Sequence, residues 1–294
     1  MGVFSMKKAA VFILLGQSNA VGHRIPMTEE DKITVPLKNV FGLHREPNQS
    51  FDITELIWSG YTSAGMNLAE TQDDTYSVAN CLASKWQAAI DGGASLPDLY
   101  IVQIAIGAQG ITKDYMWYPQ REKKLIPGKL WTVDISLYPF TTHILSLLPE
   151  SLRSRGVEPE YVGIHWRGCE NDMRIVGDQP DTPFRDIFTE LLSGFRKALK
   201  ADPPIVIHRL IFSERAIETN PTGTSNIGMD IINQVFDAMA AENPKITIFD
   251  PRNAPHYILD ERQHGILMQD AVHFNAKTNQ WVAECILNEY MQRK

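Results

Sequence analysis

Three residues of this sequence have the types that hydroxyl-based nucleophilic catalysis needs: Ser18, Asp270 and His273. A serine hydroxyl is a weak nucleophile, so it needs a base within hydrogen-bond reach and a carboxylate that fixes the tautomer of that base. Asp270 and His273 stand as Asp-x-x-His in Asp270-Ala271-Val272-His273-Phe274-Asn275, close enough on one loop to face the same cleft. Ser18 stands in Gly16-Gln17-Ser18-Asn19, directly after an apolar run. Glycine there permits a tight exit, after which the serine can begin a helical turn with its hydroxyl outward and its own N–H free to donate. Plainer readings compete with these: Ser18 or Asn19 as the N-cap of the next helix, and His273 as an ordinary partly buried histidine. The order Ser, Asp, His is one in which such triads occur, which favours the chemical reading of the set.

The elements that must position these residues follow from hydrophobic periodicity. The apolar run Ala9–Leu15 ends at Gly16, and Leu99–Ile106, Tyr161–Trp166, Ile205–Phe212 and Ile246–Asp250 are further strand-like runs. Between and after them, Tyr76–Asp91, Thr132–Arg155, Thr182–Ala201, Ser225–Ala241 and Thr278–Arg293 have helical apolar spacing, with turn signals such as Asp91-Gly92-Gly93 and Asp202-Pro203-Pro204 at the exchanges. Strands of nearly continuous hydrophobicity alternating with helices predict a central parallel five-stranded sheet covered on both faces, a three-layer α/β/α sandwich. In such sheets ligands bind outside the carboxyl ends of the strands, which is where Gly16–Asn19 falls. Two segments break the alternation, His23–Asp74 and Thr112–Lys129; loops of that length in a compact domain are usually functional or small insertions.

Composition narrows the function classes. The chain has 294 residues, 44% of them hydrophobic, enough for a full core, and the motifs at both ends require one domain over 1–294. Twenty-eight Lys+Arg against 35 Asp+Glu give a formal net charge of −7, which disfavours nucleic acid and anionic membranes as partners. Charged residues are 21% of the chain with no low-complexity tract, so disorder is excluded as the general state. The 3 cysteines, Cys81, Cys169 and Cys285, are too scattered for a disulfide framework or a four-ligand zinc site, and the histidines show no His-x-x-x-His spacing; no metal and no cofactor is expected. Lys7-Lys8 before Ala9–Leu15 has the look of a secretory signal, yet cleavage there would remove the chemistry that follows, so a soluble cytoplasmic protein is the expectation.

With these residues in place, the sequence resembles the SGNH (GDSL-like) hydrolases over most of its length, and within them the branch of sialate O-acetylesterases and acetylxylan-type carbohydrate esterases. Gly16-Gln17-Ser18-Asn19 matches the first block of that branch and Asp270-x-x-His273 the last. The second block, a Gly-Gly-Ser/Thr turn that supplies an oxyanion-hole amide, is met by Gly107-Ala108, with Gly110 as the alternative under a shifted alignment. The third, Trp-His-Gln-Gly-Glu-x-Asp, is met by Trp166-Arg167-Gly168-Cys169-Glu170-Asn171-Asp172, where Glu170 and Asp172 align but no glutamine stands in its place.

The resemblance implies a serine esterase with Ser18 as nucleophile, His273 as base and Asp270 orienting it. It further implies an oxyanion hole from the amides of Ser18 and the Gly107–Ala108 turn plus a donor from Arg167–Asn171, which the Asn171 amide, the Arg167 guanidinium or local backbone could each supply. Gln17, Arg167, Glu170 and Trp117 are candidate substrate contacts, Arg167 through a bidentate grip on an acidic sugar or, as the plainer reading, as a bridge to Glu170 or Asp172. Cys169 is a small buried hydrophobe rather than a nucleophile. The aromatic residues Trp58, Tyr61, Tyr115, Trp117, Tyr118 and Trp131, in the two long segments and near the motifs, offer flat surfaces for sugar rings or simply pack those segments. The expected substrate is a small-molecule or oligosaccharide acetyl ester. A lipolytic or thioester hydrolase with the same triad and a non-catalytic carbohydrate-binding relative are the competing readings.

Overall fold

The computed structural model describes residues 6–45, 53–69, 75–121, 136–211, 223–254 and 272–293. Asp270 and Trp131 lie outside the described residues. The elements in chain order are β1 (Lys7–Gly16), α1 (Ser18–Val21), β2 (Val40–Leu43), β3 (Trp58–Gly60), α2 (Val78–Asp91), β4 (Leu99–Ala105), α3 (Leu137–Ser154), β5 (Val157–Arg167), α4 (Asp172–Asp178), α5 (Phe184–Leu199), β6 (Ile205–His208), α6 (Thr224–Glu242), β7 (Ile246–Phe249) and α7 (Ala276–Gln292).

Residue alternation along β1 generates the layers. Ala9, Val11, Ile13 and Leu15 face one core with α3, α5 and α6, whereas Ala10, Phe12 and Leu14 face a second with α2 and α7. Successive strand side chains point to opposite faces, so a strand that is apolar at every position serves two helical layers at once. All seven of those β1 side chains are fully buried, and at about 1.5–3 kcal/mol for each large one β1 is the axis of the fold.

The five strands read from the sequence are present and mutually parallel in the order β4-β1-β5-β6-β7. Among the described residues, however, the sheet has seven strands. β2 joins β4 in parallel, and β3 pairs antiparallel with β2 at the edge. Both added strands come from His23–Asp74, which is thus in part an extension of the sheet. They are short and interrupted by Gly42, Ser59 and Gly60, which hides their period.

Register decides what the sheet presents. Gly16 stands beside Ala105 on one flank and Arg167 on the other. The carboxyl ends of β1, β4 and β5 are therefore level, and the segments following them emerge side by side at the point where the strand order reverses.

Candidate active site

Gly16 leaves β1 at φ +142, and a Cβ there would come within 1.9 Å of the Arg167 carbonyl, so only glycine fits the exit. Gln17 N–H donates to Arg167 O at 2.9 Å, and Trp117 Nε1–H donates to Gly16 O at 3.1 Å. Ser18 is then the first residue of α1, not its cap: Gln17 holds the cap position with no side-chain bond. As the first helical residue, Ser18 keeps an N–H that the turn itself does not use. Gln103 Nε2 donates to Ala20 O at 2.8 Å and Thr75 Oγ1 to Val21 O at 2.9 Å, which holds this short turn from two sides.

Asn19 does not cap a helix either. Its Nδ2 donates to Glu170 Oε1 at 2.6 Å and to Val272 O at 3.0 Å, and its Oδ1 accepts from Phe274 N–H at 3.1 Å. The Asn275 side chain accepts from Thr278 N–H at 2.9 Å and starts α7 immediately after, so His273 is held between a clamp and a helix cap.

Ser18 and His273, each 8% exposed, line one cavity of about 550 Å³ with Gln17, Gly107, Ala108, Glu170 and Asn171. His23, Arg24 and Val272 complete the lining. Ala108 adopts φ +59, the left-handed region in which a glycine would be unstrained. Asn67, from the His23–Asp74 segment, pairs through its side chain with both backbone groups of Ala105 at 3.0 Å and so steadies the strand end before that turn. Gly110 is buried away from the cavity, and a Cβ on it would lie 2.5 Å from the Asp172 carboxylate.

Asp172 is wholly buried and accepts from Ile111 N–H at 3.0 Å, Thr112 N–H at 2.9 Å and Thr112 Oγ1–H at 2.7 Å. It ties the segment after β4 to the one after β5. Burial pushes its carboxyl up to about 6 against the pull of those donors. Burial also raises Glu170, opposed by the Asn19 amide, Arg167 and His273. Glu170 Oε2 and both polar atoms of the Gln17 side chain are buried with no hydrogen-bond partner among the described residues.

Two sequence expectations do not fit this geometry. Trp117 is fully buried, edge-on to Trp166 and Phe195, and its ring faces core rather than cavity. Arg167 is buried too: Nη1 donates to Asn279 Oδ1 at 2.9 Å and its guanidinium lies 4.9 Å over the Phe274 ring. It does not line the cavity, so neither a grip on a substrate carboxylate nor an oxyanion contact is open to it, and it makes no ion pair with Glu170 or Asp172. It is a support behind the His273 segment. Burial lowers its pKa to about 10, which leaves it charged at neutral pH.

Trp58 and Tyr61 are likewise packed into the cores. Cys169 is buried, its sulfur accepts from the Trp166 indole N–H at 3.4 Å, and burial pushes its thiol well above the usual range, so it presents no thiolate. Among the described residues no group of three His, Cys, Asp or Glu side chains could hold a metal ion.

Sequence reasoning missed His23 and Arg24. The His23 ring lies 5.5 Å from that of His273, and Arg24 sits in the left-handed region at φ +60. Their only signal was position, a few residues after the Gly-Gln-Ser-Asn block.

No family model matches the sequence, and no curated protein matches it. Solved structures do. NanS aligns with a TM-score of 0.61 at 16% identity, covering 99% of this chain and 100% of that one. A protein of Arabidopsis thaliana aligns with a TM-score of 0.57 at 14% identity, covering 97% and 98%. A carbohydrate acetylesterase from Xanthomonas citri aligns more loosely, with a TM-score of 0.48 at 11% identity over 94% of this chain and 54% of that one. End-to-end agreement with the first two defines the class by fold: a three-layer α/β/α chain with a mostly parallel sheet, its candidate site at the level ends of β1, β4 and β5.

Proposed function

We propose that this chain is a serine esterase that removes acetyl groups from an O-acetylated carbohydrate. The observation that carries the reading is the meeting of Ser18 and His273, from opposite ends of the chain, in one cavity facing the Gly107–Ala108 turn. In the proposed reaction Ser18 Oγ attacks the ester carbonyl carbon as His273 accepts the hydroxyl proton, and His273 then returns a proton to the departing sugar alkoxide. Water hydrolyses the acyl-enzyme by the same route and releases acetate. Asp270 is the proposed partner that fixes the His273 tautomer.

The developing oxyanion is met by the Ser18 and Ala108 amides and the Asn171 side chain, each donor contributing about 3 kcal/mol to lowering the barrier. Asn171, His23 and Arg24 bring polar groups to a lining that is otherwise largely apolar, a mixture that takes an acetyl methyl beside sugar hydroxyls. The sialic-acid-type and xylan-type sugars of the resembling branch are the substrate classes proposed.

Turnover of acetylated xylan, acetylated sialic acid, simple acetylated sugars and a long-chain ester tests this. Preference for an acetylated sugar supports the reading. A strong preference for the long-chain ester overturns it in favour of a lipolytic enzyme, and absence of turnover on all of them favours a binding protein.

A further inference from the structure

The Asn19 amide is 3% exposed and makes three bonds that all leave its own turn. Two of them end on Val272 and Phe274, the residues on either side of His273; the third ends on Glu170. An amide with two donor hydrogens and an acceptor oxygen is the group this set of partners requires: the donor end meets a carboxylate and a carbonyl, the acceptor end meets an N–H. A flipped amide would set oxygen against two acceptors, so the network permits one orientation, which Glu170 enforces together with Val272 O and Phe274 N–H. The turn that carries the nucleophile therefore grips the segment that carries the base.

We propose that Asn19 is a positioning residue that sets His273 against Ser18 for proton transfer, with Glu170 as the anchor that orients the Asn19 amide. This rests on the Ser18–His273 reading above. Asn19 touches neither substrate nor reacting atoms; it acts through the backbone of 272 and 274. Misplacing a reacting group by about 1 Å costs about 10²-fold in rate, which sets the effect of losing the clamp.

Asn19→Asp gives a readout that a purely structural role would not. It places a second carboxyl against Glu170 Oε1, in surroundings that also hold Arg167 on β5, Cys169 and Asp172 at the start of α4, and His273 across the cavity. Near neutral pH two carboxylates repel and the clamp opens. When the pair shares one proton, an O–H···O bond restores the Glu170 contact and the other oxygen of the introduced carboxyl still accepts from Phe274 N–H, while the Val272 carbonyl stays without its donor, so the recovery is partial. Glu170→Gln supplies the missing donor at every pH, so in the double variant the dependence on acid disappears.

The test measures kcat and KM for a soluble short-chain acetyl ester from about pH 8 to about pH 5 on the full chain, each variant expressed as a ratio to wild type at the same pH, with Tm recorded alongside. Asn19→Ala is expected to lose about 10²-fold in kcat with KM within about threefold. Asn19→Asp is expected to match it at the alkaline end and recover about tenfold in the ratio at the acid end, and the Asn19→Asp/Glu170→Gln ratio is expected to be flat. Wild-type kcat in Asn19→Ala, or a pH-independent ratio in a folded Asn19→Asp, overturns the proposal.

If Asn19→Ala does not fold, Glu170 carries the test. Glu170→Gln keeps the acceptor and Glu170→Ala removes it, so the second must lose kcat relative to the first, and equal kcat overturns the proposal. A Ser18→Ala control separates the two levels. Full activity in Ser18→Ala sinks the esterase reading itself, whereas an inactive Ser18→Ala beside a fully active Asn19→Ala sinks only the role of Asn19.

Discussion

At the residue scale, the strain at Ala108 and the closeness at Gly16 make opposite predictions for small substitutions. Ala108 occupies the left-handed region at φ +59, where an L-residue costs about 1–2 kcal/mol. Ala108→Gly should therefore raise stability by about 0.5–1 kcal/mol, a shift of roughly 1–4 °C in Tm, and retain turnover because the proposed donor is the main-chain amide. A lower Tm in a calorimetric scan would contradict this. Gly16→Ala should be severe, since its methyl would meet a backbone carbonyl that cannot withdraw without breaking the β1–β5 ladder; soluble expression with a wild-type Tm would show the exit from β1 to be more forgiving. The residues with chemical types were legible as sequence because Ser18 and His273 stand in short motifs. The roles of Asn19 and Arg167 were not legible for one physical reason: their partners, Val272, Phe274 and Asn279, are more than a hundred residues away, and side-chain type alone does not reveal which distant group a polar side chain will meet.

At the element scale, the segment 107–121 behaves as a support for the turn that carries Ser18. Trp117 donates to Gly16 O, and Asp172 collects the amides of Ile111 and Thr112. Trp117→Phe keeps an aromatic ring in the core and removes the donor; the expected loss is about 1–3 kcal/mol for a carbonyl left without it, with a fall in kcat that exceeds any change in KM. Unchanged Tm and kcat would show that this bond carries nothing. The five parallel strands could be read from the sequence because burial on both faces makes each a continuous apolar run. β2 and β3 could not, because four- and three-residue edge strands containing glycine have too few positions to show a period. Asn67 belongs to the same lesson: it extends the edge of β4 with a side chain in place of a strand, and no pattern announces that.

At the scale of the whole molecule, buried titrating groups set how the fold answers to acid. His165 and His208 face each other at 3.2 Å in the core, and burial, with Arg167 nearby, holds His165 down at about 3 and His208 well below its usual range. A depressed histidine stabilises the fold above the unfolded value of about 6.5 and loses that contribution as pH falls below it. Asp172 has the opposite sign: its carboxyl is raised to about 6, so its contribution is present below about 3.8 and fades between there and 6 as pH rises. The two histidines act below about 6.5, whereas the two raised carboxylates, Asp172 and Glu170, oppose them only below their own raised values, so the Tm is expected to drop as pH falls from about 7 toward 6, and less steeply in His208→Gln. A Tm that holds or rises over that range would contradict the assignment of this pair as buried and neutral.

Ser18 as the proposed nucleophile of an ester hydrolase is tested most directly by comparing wild type with Ser18→Ala on a soluble short-chain acetyl ester at matched folded concentration. Wild type is expected to turn the ester over, and Ser18→Ala to lose about 10⁴-fold or more in kcat with an unchanged Tm. Equal turnover by the two proteins, or none by either, would contradict it.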